Sequence, residues 1–252
     1  MSKSFSGKVI AITGAGRGIA RGAAVYLAER GATLSLSDVV EQGLNDLKNE
    51  IADKFPDVKV LIQIVDVSDA ASVDNWIKKT VSEFGGLDGA ANFAGVLHNT
   101  TAQFTDIKDE DWHRVININL TGTMYSMRSE LSVMNDGGSI VNASSVAALR
   151  GGPGVVAYAA SKAGVISLTT SAAKEVGIRE IRVNALCPSG IDTPMFRQLS
   201  ESGYTEEMIL APNAIKRFGK VEESAALIAF LLGDESKFIT GETIRIDGGM
   251  CA

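Results

Sequence analysis

Short apolar runs alternate with helical segments along the chain, and this alternation is the strongest constraint on how it folds. The runs typical of buried strands cover residues 9–12, 33–37, 58–65, 87–91, 139–142, 182–186 and 243–246. The segments that predict helices between them cover residues 18–30, 39–54, 70–84, 109–134, 156–176 and 222–232. Strands that alternate with helices favour a parallel sheet covered on both faces. We therefore expect an α/β fold with a doubly wound parallel sheet of about seven strands and helices on both faces.

The composition supports one domain and argues against several functional classes. With 252 residues, 45% of them hydrophobic, the chain is long enough for one large core, and no linker or repeat divides it. A net charge of -6 argues against a nucleic-acid or anionic-membrane surface. The N-terminus lacks the apolar region of a secretory signal, no apolar run approaches the length of a membrane span, and two cysteines are too few for a disulfide framework. We expect residues 1–252 to form one domain in the cytoplasm.

A glycine-rich turn follows the first predicted strand and opens the first predicted helix. The segment 13–20 reads Thr-Gly-Ala-Gly-Arg-Gly-Ile-Ala. Glycines let the backbone approach a pyrophosphate, and the helix N-terminus offers unpaired N–H groups and a partial positive charge. Asp38 ends the second strand, 24 residues beyond Gly14, where a carboxylate can accept hydrogen bonds from both ribose hydroxyls of an adenosine. This carboxylate favours NAD because it would repel a 2′-phosphate, whereas Arg17 leaves NADP as the alternative.

A phenol and an amine are placed on one face of the helix predicted over 156–176. Tyr158 and Lys162 lie four residues apart, which is about one helical turn. A phenol is a weak acid with a reference pKa of about 10, and a nearby cation lowers that pKa by favouring the phenolate. Ser145 lies thirteen residues upstream of Tyr158 and ends the fifth predicted strand. These residues indicate a site that exchanges a proton with an alcohol or a ketone.

Together, the motifs resemble those of the short-chain dehydrogenase/reductase family over essentially the whole chain. The segment 13–20 is similar to the family's Thr-Gly-x-x-x-Gly-x-Gly cofactor turn, and residues 158–162 resemble its Tyr-x-x-x-Lys motif. Further matches are Asp66-Val67, Asn92-Phe93-Ala94-Gly95, Asn119, Ser144-Ser145, the segment 188–193, Gly241 and Asp247-Gly248-Gly249. Two positions depart from the family pattern, since Ala20 and Ser189 replace glycines. Alanine still permits close helix–strand packing, and Gly190 keeps a flexible residue one step later.

The resemblance implies a Rossmann fold, a nicotinamide dinucleotide cofactor and a catalytic group of four residues. Tyr158 would be the general acid or base, Lys162 would lower its pKa and bind the nicotinamide ribose, and Ser145 would position the substrate oxygen. Asn119 would use its backbone carbonyl to hold a water linked to Lys162. The residues implied to bind the cofactor are Gly14, Arg17, Gly18, Ile19, Asp38, Asp66, Val67, Asn92, Ala94, Gly95, Tyr158, Lys162, Pro188, Gly190, Ile191 and Thr193. No metal is required.

The segment 191–218 is the region expected to cover the substrate. It joins a strand to a helix, and its mixed apolar and polar content is typical of a mobile lid over an apolar substrate. The residues expected to line the pocket are Val96, His98, Leu149, Val155, Met195 and Phe196. We expect a hydrophobic secondary alcohol or its ketone as substrate. A 3-oxoacyl-thioester (acyl-carrier-protein) reductase has the same motifs and is the enzymatic alternative, and an NAD-binding sensor or scaffold without turnover is the non-enzymatic one.

The remaining candidate residues have simpler explanations. His98 and His113 lack the spacing of metal ligands. Cys187 precedes Pro188 at the end of a strand and has the position of a small buried apolar residue. The family resemblance also implies a homodimer or homotetramer built on the helices 109–134 and 156–176, whose faces rich in small residues permit close packing.

Overall fold

The computed structural model describes residues 4–97, 103–201 and 205–252, whose strands form one parallel sheet in the order β3-β2-β1-β4-β5-β6-β7. The strands are β1 (Val9–Thr13), β2 (Thr33–Asp38), β3 (Val60–Ile64), β4 (Leu87–Asn92), β5 (Met134–Ala143), β6 (Arg182–Pro188) and β7 (Thr243–Ile246). The helices in the described residues are α1 (Gly18–Glu29), α2 (Glu41–Lys54), α3 (Ala70–Phe84), α4 (Asp109–Ile116), α5 (Gly122–Val133), α6 (Ala147–Arg150), α7 (Val156–Val176), α8 (Pro194–Glu201), α9 (Glu206–Leu210) and α10 (Val221–Leu232). The doubly wound parallel sheet expected from the sequence is confirmed.

The sheet is buried on both faces, because successive side chains of a strand point to opposite sides. In β1, Ile10 and Ile12 lie in a core with residues of α1, α2 and α10. Val9 and Ala11 lie in a second core with residues of α3, α5 and α7. Trp76 of α3 is fully buried in that second core. With helices packed on each face, the carboxyl ends of the strands remain as the edge where loops can build a site.

Local hydrogen bonds and left-handed glycines set the ends of the early helices. α1 ends before Gly31 and α3 ends before Gly85, whose φ values of 85° and 86° are conformations that glycine adopts without strain. The helix predicted from residue 39 begins only at Glu41. The carboxylate of Asp38 accepts a hydrogen bond from the Val40 N–H at 3.0 Å, and this turn keeps residues 38–40 out of the helix.

The long helix predicted over 109–134 is interrupted. α4 and α5 are separated by a π-helical turn over Asn117–Thr121, and β5 already begins at Met134. A π turn inserts one extra residue into the helix and changes the direction of the side chains around it. Asn119 lies in this turn and is fully buried. The sequence pattern predicted a continuous helix because its apolar spacing continues through the insertion.

No helix among the described residues combines the length and the apolar character that crossing a membrane requires.

Candidate active site

A cavity of about 460 Å³ lies at the carboxyl ends of the strands and gathers most of the residues singled out in the sequence. Predicted residues that line it are Gly14, Arg17, Gly18, Ile19, Asp38, Asp66, Val67, Ala94, Gly95, Val96, Ser145, Val155, Tyr158, Lys162, Pro188, Gly190, Ile191, Thr193, Met195 and Phe196. Asn92 and Asn119 are buried behind its wall. Leu149 does not line the cavity, because the short helix α6 leaves its side chain 45% exposed to solvent. His98 lies outside the described residues.

The glycine-rich turn is packed tightly against the end of β4. Gly14 has a φ of 70°, and a Cβ atom there would lie 2.8 Å from the backbone nitrogen of Ala94. The hydroxyl of Thr13 accepts hydrogen bonds from the N–H groups of Phe93 and Ala94 at 3.0 and 3.1 Å. Gly18, which opens α1, also has a left-handed φ of 61°. The turn therefore presents bare backbone to the cavity at the N-terminus of a helix, which suits a pyrophosphate.

Asp38 is held at the adjacent edge of the cavity by backbone groups. Its carboxylate accepts hydrogen bonds from the N–H of Gly16 at 3.0 Å and from the N–H of Val40 at 3.0 Å. These bonds fix the carboxylate beside the turn. Arg17 also lines the cavity, but its side chain is exposed.

Asp66 and Val67 form the wall opposite the turn, after β3. One Asp66 oxygen, Oδ1, accepts hydrogen bonds from the Ser68 N–H at 2.9 Å and from the Ser68 hydroxyl at 2.7 Å. Val67 packs against Gly122 of α5, where an added Cβ would lie 2.7 Å from the valine Cγ2. The close packing between the segment after β3 and α5 keeps this part of the wall in place.

Ser145, Tyr158 and Lys162 meet at one place on the cavity wall. The Tyr158 and Ser145 side chains lie close enough to interact, and the Ser145 hydroxyl accepts from the Ala147 N–H at 3.1 Å. Lys162 Nζ lies 5.7 Å from the centroid of the Tyr158 ring and donates to the carbonyl of Ala143 at 2.8 Å. The predicted face of α7 therefore places the Lys162 amine beside the Tyr158 phenol, and the segment after β5 places Ser145 close to both.

Burial dominates the protonation of this group. It raises the pKa of Tyr158, although the hydrogen bond from Ser145 acts in the opposite direction. It also lowers the pKa of Lys162 from 10.5 to about 8. The sequence predicted that Lys162 lowers the Tyr158 pKa. The net direction in the structure is the reverse, because removing the phenolate from water outweighs the other effects.

Asn119 fixes the loop that follows β4. Its side-chain Oδ1 accepts from the Val96 N–H at 2.8 Å, and its Nδ2 donates to the Val96 carbonyl at 2.9 Å and to Ser161 Oγ at 3.1 Å. Its own carbonyl accepts the Thr123 hydroxyl at 2.7 Å. An added Cβ on Gly95 would lie 3.2 Å from Asn119 Oδ1 and 3.4 Å from Lys162 Nζ. The π turn thus brings Asn119 close to Lys162 but uses its side chain to clamp the cavity wall.

Asn92 belongs to a buried polar network beneath the cavity floor. Its Nδ2 donates to Glu130 Oε2 at 2.9 Å and to Asn142 Oδ1 at 3.0 Å, which links β4 to α5 and β5. Asn142 continues the network to the Thr169 hydroxyl at 2.9 Å. Glu130 is fully buried, and this burial raises its pKa from 4.5 to about 7. Sequence reasoning missed Glu130, although its spacing from the buried Ser126 and Met127 is that of one helix face.

The far end of the cavity is apolar. Val96, Val155, Met195 and Phe196 line it, as predicted for the substrate pocket. Leu97, Val146, Ala147 and Ile209 also line it, and so does Met250, which sequence reasoning missed. Met250 follows the Asp247-Gly248-Gly249 motif directly, so the motif itself was the signal that could have pointed to it.

The remaining candidates in the part of the chain that the structure describes are His113 and Cys187. Within the described residues, no three His, Cys, Asp or Glu side chains are grouped so that they could hold a metal ion. Cys187 is a free, fully buried thiol, in agreement with its predicted role as a small buried residue.

Comparison with known proteins matches this geometry to one family. Residues 14–251 fit the family model described as Enoyl-(Acyl carrier protein) reductase. The chain is 44% identical to the short-chain dehydrogenase/reductase aba4 of Botryotinia fuckeliana, covering 98% of each protein. It is 41% identical to the 3-oxoacyl-[acyl-carrier-protein] reductase of Thermotoga maritima, again over 98% of each protein.

The fold comparison agrees with the sequence comparison. The crystal structure of a levodione reductase superposes with a TM-score of 0.93 at 36% identity, covering 97% of this chain and 98% of that one. The levodione reductase of Leifsonia aquatica is 38% identical, covering 98% of this chain and 96% of that protein. The expectation of an enzyme that acts on a CH–OH group is confirmed, in place of a sensor or scaffold. The chain belongs to the short-chain dehydrogenase/reductase family and is an NAD(P)-dependent oxidoreductase that interconverts a secondary alcohol and a ketone.

Proposed function

We propose that the enzyme reduces a hydrophobic ketone, or oxidises the matching secondary alcohol, with NAD as its dinucleotide. The observation that carries the proposal is the apolar end of the cavity around the Ser145 and Tyr158 hydroxyls. Among the described residues, the charged side chains that line the cavity are Arg17, Asp38, Asp66 and Lys162. The first three lie around the glycine turn and the end of β3, and Lys162 lies beside Tyr158. A charged group on the distal part of a substrate would therefore be buried without a partner, which favours a neutral, apolar one.

The residues around the glycine turn fit a dinucleotide. Gly14 packs against the end of β4, where a Cβ would lie 2.8 Å from the Ala94 backbone nitrogen, and the start of α1 directs N–H groups at the cavity. Gly14, Gly18 and Ile19 would hold the pyrophosphate, and Asp66 with Val67 would hold the adenine. Asp38 would accept hydrogen bonds from the ribose hydroxyls.

The choice of NAD over NADP rests on how firmly Asp38 is held. Two backbone N–H groups keep its carboxylate beside the turn, whereas the exposed Arg17 is free to extend into solvent. A 2′-phosphate would bring a second negative charge against a fixed carboxylate, which is repulsive. The proposal is therefore NAD, with Arg17 as the feature that leaves some use of NADP.

The proposed chemistry places the proton with Tyr158. When bound, the nicotinamide supplies or takes up the hydride. In reduction, the Tyr158 hydroxyl donates its proton to the carbonyl oxygen, and the Ser145 hydroxyl holds that oxygen by a hydrogen bond. Lys162 stabilises the phenolate that forms, and Asn119 keeps the neighbouring loop fixed. Burial raises the Tyr158 pKa, so the phenol carries the proton that ketone reduction requires.

The segment 191–218 is proposed to act as a lid with anchored ends. Ile191 and Gly219 form a parallel bridge, and the N–H of Asp192 donates to the Gly219 carbonyl at 3.0 Å. Thr193 immediately precedes α8, and its hydroxyl accepts from the Phe196 N–H at 3.3 Å. The two ends therefore stay together while α8 and α9 lie between them. A lid of this kind excludes water from the reacting atoms.

The ring of Phe196 anchors α8 over the cavity. It packs edge-on against Phe218, with the ring centroids 4.8 Å apart. It also covers Gly190, where a Cβ would lie 3.0 Å from its ring. This contact gives a physical reason for glycine at position 190, after the unusual Ser189.

A 3-oxoacyl-thioester reductase is the second candidate function, and the 41% identity to the Thermotoga maritima reductase favours it. The two candidates differ in what lies beyond the ketone, because a thioester carries a long polar arm that must leave the cavity. Steady-state kinetics with acetoacetyl-coenzyme A and with a hydrophobic ketone such as acetophenone separate them.

The experiment that tests the proposal follows NADH absorbance with both substrates and with each dinucleotide. We expect a higher kcat/KM for acetophenone than for acetoacetyl-coenzyme A, and for NADH than for NADPH. A higher value for the thioester would favour the second candidate. Turnover with NADPH alone would contradict the cofactor proposal and leave the substrate proposal standing.

The location and assembly are also proposals. We propose a cytoplasmic enzyme that forms a homodimer or homotetramer through the helices of residues 109–134 and 156–176. The exposed face of α7 supports this assembly, since it carries the small residues Ala160, Ala163, Ser167 and Ser171 at helical spacing. Small side chains allow a second helix to approach closely. Sedimentation velocity of the purified protein measures the assembly.

A further inference from the structure

We propose that Met250 determines which substrates the enzyme prefers, and that Arg150 positions it. Met250 lines the cavity and belongs to a turn over residues 247–251, called here the closing turn. The inference rests on the proposed function, because it concerns the apolar end of the same cavity.

The closing turn is held in shape by its own carboxylate. Asp247 Oδ1 accepts from the Gly249 N–H at 3.0 Å, and Asp247 Oδ2 accepts from the Cys251 N–H at 3.0 Å. The N–H of Met250 donates to the Asp247 carbonyl at 3.1 Å. Hydrogen bonds from these backbone groups also help to lower the Asp247 pKa, against the opposing effect of its burial. The turn is therefore a defined structure, and the backbone of Met250 has a fixed place in it.

Two substrate-side segments hold the closing turn from outside. The Arg150 guanidinium, at the end of the helix that follows Ser145, donates to the Met250 carbonyl at 2.9 Å. The N–H of Ile215, after α9, donates to the Gly248 carbonyl at 2.8 Å. Gly249 packs so closely on Ala214 that an added Cβ would lie 2.7 Å from the alanine Cβ. The turn thus bridges the end of α6 and the C-terminal part of the proposed lid.

This placement makes Met250 a wall of the substrate end. Its carbonyl is tied to the element that begins just after Ser145, so its side chain is held near the reacting hydroxyls. Methionine is apolar and flexible, and it fills space against substrates of different shapes. Its three heavy atoms beyond Cβ limit how far an apolar chain can extend from the reacting carbonyl. We therefore expect Met250 to set the preferred length of the substrate, with the chemistry left to the Ser145–Tyr158–Lys162 group.

The test compares wild type with Met250→Ala on a series of linear methyl ketones of increasing length, with NADH. We expect the kcat/KM ratio of a long ketone to a short one to rise at least about tenfold in Met250→Ala, because one methylene in such a pocket changes kcat/KM by about tenfold or more. Met250→Phe should shift the preference towards shorter ketones. Ile178→Ala is the control for truncating an apolar side chain, since Ile178 is 93% exposed and does not line the cavity.

Arg150 is tested as a positioning residue. Arg150→Ala should flatten the length preference by raising KM for the favoured ketone, with kcat changed less than about twofold. Arg150→Lys should restore part of the preference, because it keeps a donor for the Met250 carbonyl. NADH affinity, measured by fluorescence, should stay unchanged in all variants, and thermal unfolding checks that each is folded.

A length profile that stays within about twofold of wild type in a folded, active Met250→Ala would overturn the inference. If wild type binds NADH but reduces none of the ketones, the proposed function fails and the inference falls with it. The wild-type rates therefore distinguish the two failures.

Discussion

Replacing Glu130 by glutamine should stabilise the protein at alkaline pH far more than at acidic pH. Glu130 is fully buried, and one of its oxygens, Oε1, has no hydrogen-bond partner among the described residues. Glutamine keeps the size of the side chain and an oxygen to accept from Asn92 Nδ2, but it carries no charge at any pH. The variant therefore isolates the free energy of burying the ionised carboxylate.

The pKa values set the magnitude and the sign. The pKa of a glutamate side chain exposed to water, as in the unfolded chain, is 4.5, and burial raises that of Glu130 to about 7 in the folded protein. The folded protein therefore holds a proton that the unfolded chain releases, and the free energy of unfolding of wild type falls as pH rises through this window. Between pH 5 and pH 8 this loss amounts to about 2.5 kcal/mol, since a tenfold change in an equilibrium corresponds to about 1.4 kcal/mol.

Urea unfolding at fixed protein concentration, at pH 5 and at pH 8, measures the effect. The stability difference between Glu130→Gln and wild type should change in favour of the variant by about 2 to 3 kcal/mol between these pH values. Glu175→Gln, at an exposed position on α7, is the matched control and should show almost no such change. An equal response of both variants to pH would refute the reasoning that Glu130 is buried largely in its protonated form.

Three further changes test the cofactor end and the proton-transfer group. Asp38→Ala should raise the NADP/NAD ratio of kcat/KM at least about tenfold, because it removes the charge opposed to a 2′-phosphate, and an unchanged ratio from initial rates would refute the ribose argument. Gly14→Ala should weaken NADH binding at least about tenfold in a fluorescence titration. A Cβ at this position, where φ is 70°, would lie 2.8 Å from the Ala94 backbone and would displace the turn that faces the dinucleotide. Wild-type affinity in this variant would show that the turn does not approach the dinucleotide. Lys162→Met should lower kcat at pH 7 by about 100-fold. The rate of alcohol oxidation should fall more than the rate of ketone reduction, because oxidation needs the phenolate that the cation stabilises. Equal rates for Lys162→Met and wild type would contradict this role.

The order of elements was predictable from the sequence because it depends on local patterns. Apolar runs separated by helical segments predicted the parallel sheet, and several bounds agree closely, such as α3 and α7. The rule that parallel strands gather their carboxyl ends at one edge then brought Asp38, Asp66 and Ser145 to one cavity. The Tyr158–Lys162 spacing predicted the shared face of α7, and the 5.7 Å between Lys162 Nζ and the centroid of the Tyr158 ring agrees with it.

What the sequence could not predict depends on contacts between distant residues. The π turn at Asn117–Thr121 breaks a helix whose apolar pattern continues through it, and its side-chain clamp on Val96 is invisible in the sequence. The rise of the Tyr158 pKa follows from burial by the surrounding elements, which local spacing does not reveal. Met250 lines the cavity, and the closing turn that carries it contacts Arg150, 100 residues away in the sequence.

The most direct test of the central claim is the rate of ketone reduction by Tyr158→Phe. The variant removes the phenolic hydroxyl and keeps the ring, so NADH binding and folding should stay close to wild type. We expect kcat to fall by at least about 100-fold, as is typical of losing a general acid. A Tyr158→Phe enzyme that binds NADH and reduces the ketone at the wild-type rate would contradict the account.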